Sequence, residues 1–198
     1  MSDHQNALPA AEYVDGLSSV LHGTEVTDQD QNVVAFGQGL SRMLDMVRVC
    51  KDTGGKIIFV GNGGSASIAS HMAIDYNNMV GVAAMALNDG AMLTCLGNDF
   101  GYEHVFDKQL GFIGQSGDLL VAISSSGKSQ NILNAVKTAR QRGIEVVSMS
   151  GFGADNPLRR TGDVNFYVDS SRYGYVEIAH LTLCHAVADM SGDWKPES

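Results

Sequence analysis

Ile57-Ile58-Phe59-Val60-Gly61-Asn62-Gly63-Gly64-Ser65 decides how the chain is read. Four apolar residues stop at a glycine-rich turn. A helical pattern then opens at the serine and carries His71 and Asp75. This is the signature of a buried strand, a tight loop and a helix N-terminus. Such a terminus presents free backbone N–H groups and the positive end of the helix dipole, which suit an anion or a sugar hydroxyl. The glycine spacing is neither G-x-G-x-x-G nor G-x-x-x-x-G-K-[ST], so the dinucleotide and P-loop readings fail. Taken alone, such a turn is just as often without a ligand.

Working outward, short apolar runs alternate with helical patterns. Strands are expected over 56–60, 82–87, 118–123, 145–150 and 164–168. Helices are expected over 65–79, 103–112, 129–142 and 176–190, with a short one near 91–96. This alternation predicts an α/β fold, with a five-stranded parallel sheet covered on both faces by helices through right-handed crossovers. Ligands in such a three-layer sandwich sit beyond the C-terminal strand ends, where strand order reverses. Upstream, residues 9–21 read as a helix with Pro9 in its first turn. Thr27-Asp28 read as the cap of a longer helix from Gln29 to Lys51, with Val33, Phe36, Leu40, Met43, Leu44 and Val47 at helical spacing. Both faces of that helix carry apolar residues, which suits either a partner subunit or packing on the chain's own sheet. The expectation is one domain over 1–198: N-terminal helices at about 9–52, an α/β core at about 56–190, and loose ends at 1–8 and 191–198.

Bulk properties narrow the function classes. The 198 residues suffice for a full core, and 44% hydrophobic with 18% charged residues is ordinary globular composition. A net charge of −9 with no basic run argues against a nucleic-acid partner. No apolar run reaches membrane-spanning length, and the polar start does not read as a signal peptide. Cys50, Cys95 and Cys184 are an odd, scattered set, which fits reduced thiols in a cytoplasm.

A second loop, Ile123-Ser124-Ser125-Ser126-Gly127-Lys128-Ser129, also joins a strand to a helix. Four hydroxyls and a helix N-terminus converge there, a donor set for a phosphate monoester. One serine would need no role beyond a helix cap, but four in six residues favour the phosphate. Lys128 either adds charge or points to solvent. At a third strand end, Asn88 and Asp89 precede Gly90 and Thr94, and Asp89 and Thr94 are candidates to bond sugar hydroxyls. Asn98-Asp99 reads better as a turn with Asx bonding.

His71 and Asp75 share a helix face at four-residue spacing. Glu177 and His185, eight apart on the last helix, also lie roughly on one side. Two histidines and two carboxylates suit either a divalent metal such as zinc or acid–base work. His180 falls on a different part of that face. His22 and His104 read as structural or exposed, and Cys184 as core.

The motifs 61–65, 88–89, 97–101 and 123–129, in this order, resemble the sugar isomerase (SIS) family over roughly residues 30–190. The resemblance implies a flavodoxin-like SIS fold. It also implies an aldose–ketose isomerase for a phosphorylated sugar, most directly sedoheptulose 7-phosphate to a heptose 7-phosphate through an enediol. Other readings it allows are an isomerase of another sugar phosphate and a non-catalytic phosphosugar-binding regulator. By resemblance, Ser124, Ser125, Ser126 and Ser129 hold the phosphate. Asn62, Gly63, Gly64, Ser65, Asn88, Asp89 and Glu177 contact the sugar. His71, Asp75, Glu177 and His185 hold a zinc ion, with Asp75 or Glu177 as base and His185 as acid. A cytoplasmic homotetramer with sites at subunit contacts is also implied. The chain departs from the usual pattern at Asp75 (Glu in relatives), Glu177 (Gln) and Lys128 (Asn).

Overall fold

The computed structural model describes residues 9–192. The expectations for residues 1–8 and 193–198 lie outside the described residues. The chain runs α1 (Ala10–His22), β1 (Glu25–Asp28), β2 (Val33–Val34), α2 (Phe36–Asp52), β3 (Lys56–Val60) and α3 (Gly64–Asp75). A π-helical turn (Tyr76–Val80) leads to β4 (Ala83–Ala86), α4 (Gly90–Phe100) and α5 (Val105–Ile113). Then come β5 (Leu119–Ser124), α6 (Gln130–Gln141), β6 (Glu145–Gly151), a 3₁₀ turn (Pro157–Arg160), β7 (Val164–Val168) and α7 (Tyr173–Met190).

The sheet order is β2-β1-β7-β6-β5-β3-β4. The expected five parallel strands are all present, as β3 to β7, and are paired in register. The sheet has seven strands rather than five, because residues 25–34 form a hairpin that pairs antiparallel with β7. The helix expected from Gln29 is therefore wrong over about its first two turns, and α2 starts at Phe36. Asp28 acts as a turn residue instead of a helix cap. One of its carboxylate oxygens accepts the Asp30 and Asn32 N–H groups, and Gln31 takes φ 66°. An Asx-stabilised turn lets Val26 pair with Phe166 and sit in the core, which helical winding here would forfeit.

Strand alternation builds the two faces. Ile57, Phe59, Val121 and Met149 face α2, α3 and α7, whereas Ile58, Val60, Leu120 and Val146 face α4, α5 and α6. The result is the expected three-layer sandwich. Strand order reverses between β3, which leads outward to β4, and β5, which leads the other way. That puts the loops after β3 and β5 side by side at one rim. Among the described residues, no helix is long and apolar enough to cross a membrane.

Candidate active site

The serine loop leaves β5 at Ser124. Gly127 turns it at φ 61°, its N–H bonded to the Ser124 carbonyl at 3.0 Å. A Cβ at this position would overlap the Asn156 side chain, so glycine is needed for both space and dihedral. The loop is backed by the 3₁₀ turn through Leu158 N–H to Gly127 carbonyl (3.1 Å) and by β6 through Gly151 N–H to Ser125 carbonyl (3.0 Å). Ser129 is the N-cap of α6, but its hydroxyl makes no cap bond and lies 3.3 Å from that of Ser124. The Gln130 and Asn131 N–H groups therefore remain available, as an anion site requires, whereas that of Ile132 is taken by the Ser129 carbonyl and Asn131 Oδ1.

The loop after β3 is held from the other side. Gly63 caps α3 at φ 55°. Asn62 and Asn131 exchange amide hydrogen bonds at 2.9 Å in both directions, and the Tyr102 hydroxyl donates to Asn62 Oδ1 at 3.0 Å. This pair pins the two loops to each other. Between them lies a cavity of about 240 Å³, walled by residues 62–65 on one side and Ser124, Ser125, Ser126 and Ser129 on the other, with Tyr173 and Glu177 of α7 completing it. The Glu177 carboxylate sits so close over Gly64 that a Cβ there would overlap it. Glu177 is half-buried and has no hydrogen-bond or ionic partner among the described residues.

His71 and Asp75 on α3 meet His185 on α7. His71 Nε2 lies 3.2 Å from His185 Nε2 and 3.4 Å from Asp75 Oδ2, which in turn is 3.5 Å from His185 Nδ1. The 3.2 and 3.5 Å distances run to different nitrogens of His185; with one ligand atom taken from each side chain, all three atoms lie within 4.8 Å of one another, a spacing from which small side-chain shifts would seat a divalent metal of the zinc type. Three protein ligands leave one position open, the arrangement of catalytic rather than structural zinc. Glu177 does not belong to this cluster. The stretches Gly64 to His71 and Glu177 to His185 each cover about two helical turns, roughly 10–12 Å of axis, so the carboxylate at the cavity and the cluster occupy successive levels of the same two helices.

Other expected residues are placed elsewhere. Asn88 lines a neighbouring cavity of about 580 Å³ that shares Asn62 and Gly63 with the first. Its amide donates to the Ala66 carbonyl and the Ser70 hydroxyl, both at 2.9 Å, and its Oδ1 is buried without a partner. Asp89 lines neither cavity and caps α4 by accepting the Met92 N–H at 2.9 Å. The Lys128 side chain is exposed and outside the lining. His180 is fully buried and bonds the Ser150 carbonyl at 3.2 Å. Burial pushes its pKa down to about 4, against the raising effect of that bond. Burial likewise pushes the Cys184 thiol up to about 12, which makes it an inert core group. The sequence reading missed Tyr173, Tyr102 and Asn131. Tyr173 had a signal, since it precedes Glu177 by one turn on the same helix face. Asn131 and Tyr102 had none, because they act through contacts distant in sequence.

Comparison with known proteins places this geometry. A family model described as SIS domain matches residues 38–151. The chain is 40% identical over 165 residues to the phosphoheptose isomerase of Nitratidesulfovibrio vulgaris, covering 79% of each chain. It is 33% identical over 160 residues to that of Thermodesulfovibrio yellowstonii, covering 78% of this chain and 79% of the relative. Its structure is similar to phosphoheptose isomerase GmhA from Neisseria gonorrhoeae (TM-score 0.78, 32% identity, 93% of this chain and 97% of the other). It is also similar to a phosphoheptose isomerase from Francisella tularensis (TM-score 0.80, 26% identity, 93% and 96%).

Proposed function

The chain belongs to the SIS domain family, and from that premise we propose that it is an aldose–ketose isomerase of a phosphorylated sugar, converting sedoheptulose 7-phosphate to a heptose 7-phosphate. The observation that carries this reading is the shared cavity. Four serine hydroxyls and a helix N-terminus face an unpartnered carboxylate, Glu177, within about 240 Å³. The serines and the first N–H groups of α6 hold the phosphate. The residues at 62–65 hold the middle of the carbon chain.

In the ketose-to-aldose direction a proton leaves C1, an enediol forms, and a proton is delivered to C2, while the hydroxyl proton on O1 is lost and O2 gains one. Glu177 is the base that carries the carbon-bound proton, because it is the carboxylate at the cavity that no other group engages. Asp75, within 3.5 Å of both imidazoles, is committed to the cluster. His71, Asp75 and His185 are the residues that would hold zinc, which when bound supplies a Lewis acid to polarise the carbonyl. The reacting carbons then lie between Glu177 and that cluster.

A homotetramer with sites at subunit contacts belongs to the same proposal. Exposed Phe36, Val49, Ile74, Ile178 and Met190 on α2, α3 and α7 support it, and light scattering tests it. A reducing, cytoplasmic location is supported by three free cysteines. The decisive assay incubates the purified, zinc-loaded protein with sedoheptulose 7-phosphate and follows the aldose product. Folded, metal-bound protein that makes none overturns the substrate assignment. Turnover of a different ketose phosphate in a panel would replace it.

A further inference from the structure

Every group in the cavity lining except one is a glycine or a polar side chain; the exception is Tyr173. A sugar phosphate presents C–H faces as well as hydroxyls, and among the lining residues only the Tyr173 ring offers apolar area to pack them. Tyr173 is 64% exposed and its hydroxyl has no hydrogen-bond partner among the described residues, so it is not spent on the core. It is nevertheless held in place. Phe152 meets it edge to face, with ring centroids 4.8 Å apart and an interplanar angle of 84°.

Among the described residues, Phe152 is one of two non-glycine residues at positive φ, at 58°. A bulky aromatic is disfavoured there, where glycine would be free of strain. The backbone is fastened on both sides. Phe152 N–H donates to the Ser170 carbonyl at 3.0 Å, and the Tyr167 hydroxyl donates to the Phe152 carbonyl at 2.8 Å. The preceding residue, Gly151, bonds the carbonyl of Ser125 in the serine loop. Strain kept by surrounding bonds beside a ligand loop points to a use for the strained side chain.

We propose that Tyr173 is a substrate-contacting specificity residue, packing its ring on the C–H face of the sugar chain, and that Phe152 is a positioning residue that orients it. This rests on the phosphosugar reading above. The contact is to carbon, so it discriminates a phosphorylated sugar chain from phosphate itself.

The test measures binding of two probes by calorimetry: a non-isomerisable open-chain alditol 7-phosphate, and inorganic phosphate. Tyr173→Ala is expected to weaken the alditol phosphate about tenfold, the scale of one aromatic contact, and to leave inorganic phosphate where it is. Tyr173→Phe should bind both probes like the wild type. Phe152→Gly, which removes the ring and relieves the backbone but gives up its packing on Val168, Val176 and Ala179, should reproduce the selective loss of Tyr173→Ala in protein that circular dichroism shows to be folded at the assay temperature. Equal weakening of both probes, or of neither, by Tyr173→Ala overturns the role of Tyr173. Wild-type affinity for the alditol phosphate in Phe152→Gly overturns that of Phe152. A wild type that binds neither probe overturns the phosphosugar reading and this proposal with it; a wild type that binds both, with Tyr173→Ala unchanged, overturns the proposal alone.

Discussion

Glu177 and His180 stand three residues apart on α7 and have opposite environments. Glu177 faces the cavity with no partner, where the resemblance expects glutamine. If it is the base, Glu177→Gln keeps the side chain's shape and removes its proton affinity. Turnover should then fall roughly 10²- to 10⁴-fold, with KM little changed. Steady-state kinetics checks this, and a fully active variant would move the base elsewhere. His180 is buried neutral, with its pKa depressed to about 4 from an ordinary 6.5. The unfolded chain therefore binds the extra proton between those values. Stability should be greatest above about pH 6.5 and fall as the pH drops toward 4, by at most about 1.4 kcal/mol per pH unit from this group. Urea melts of wild type and His180→Leu across that window measure it, and the variant should show the shallower acid limb. At this scale much was legible. The four serines and Asn62 are where their motifs put them, since each lies next to a strand end. Asp89, expected as a sugar contact, lines neither cavity and makes the local bond that an aspartate before a helix also satisfies, the N-cap of α4.

Among the elements, the strand–loop–helix units of the core were readable because each carries its own period and its own turn glycines. The hairpin at residues 25–34 was not. Its valines also fit a helical stripe, and only the free edge of β7, far away in sequence, rewards the extended form. The opposite edge of the sheet is managed by a single side chain. Asn77, in the π-helical turn, donates to the carbonyls of Ala73 (2.6 Å) and Ala84 (2.7 Å) and accepts the Ala84 N–H at 3.1 Å. It thus imitates a neighbouring strand for β4, satisfying edge groups that would otherwise invite another chain. Asn77→Ala should lower stability by about 1–2 kcal/mol, the cost of unmade hydrogen bonds, and raise the tendency to aggregate. Thermal melts with turbidity read both, and an unchanged melting temperature would show that water replaces the amide without loss.

At the scale of the whole molecule, the packing of α3 on α7 makes the metal-type cluster. An ion bound only by the folded chain stabilises it, by about 2.7 kcal/mol at a hundred times its dissociation constant. Purified protein should carry about one zinc per chain. Chelation should lower its melting temperature and abolish turnover, with both restored by zinc, and His185→Ala should make the melting temperature insensitive to the chelator. Metal analysis with and without chelator decides this.

The sequence alone determined the parallel sandwich, the two rim loops and the pairing of His71 with Asp75, because strand and helix periods and four-residue spacing are local properties of a chain. Only the tertiary structure decided that His185 joins them while Glu177 stays with the phosphate loop. Two residues can share a helix face yet stand two turns apart along it. Which of them meets a given partner depends on how a second helix is set against the first.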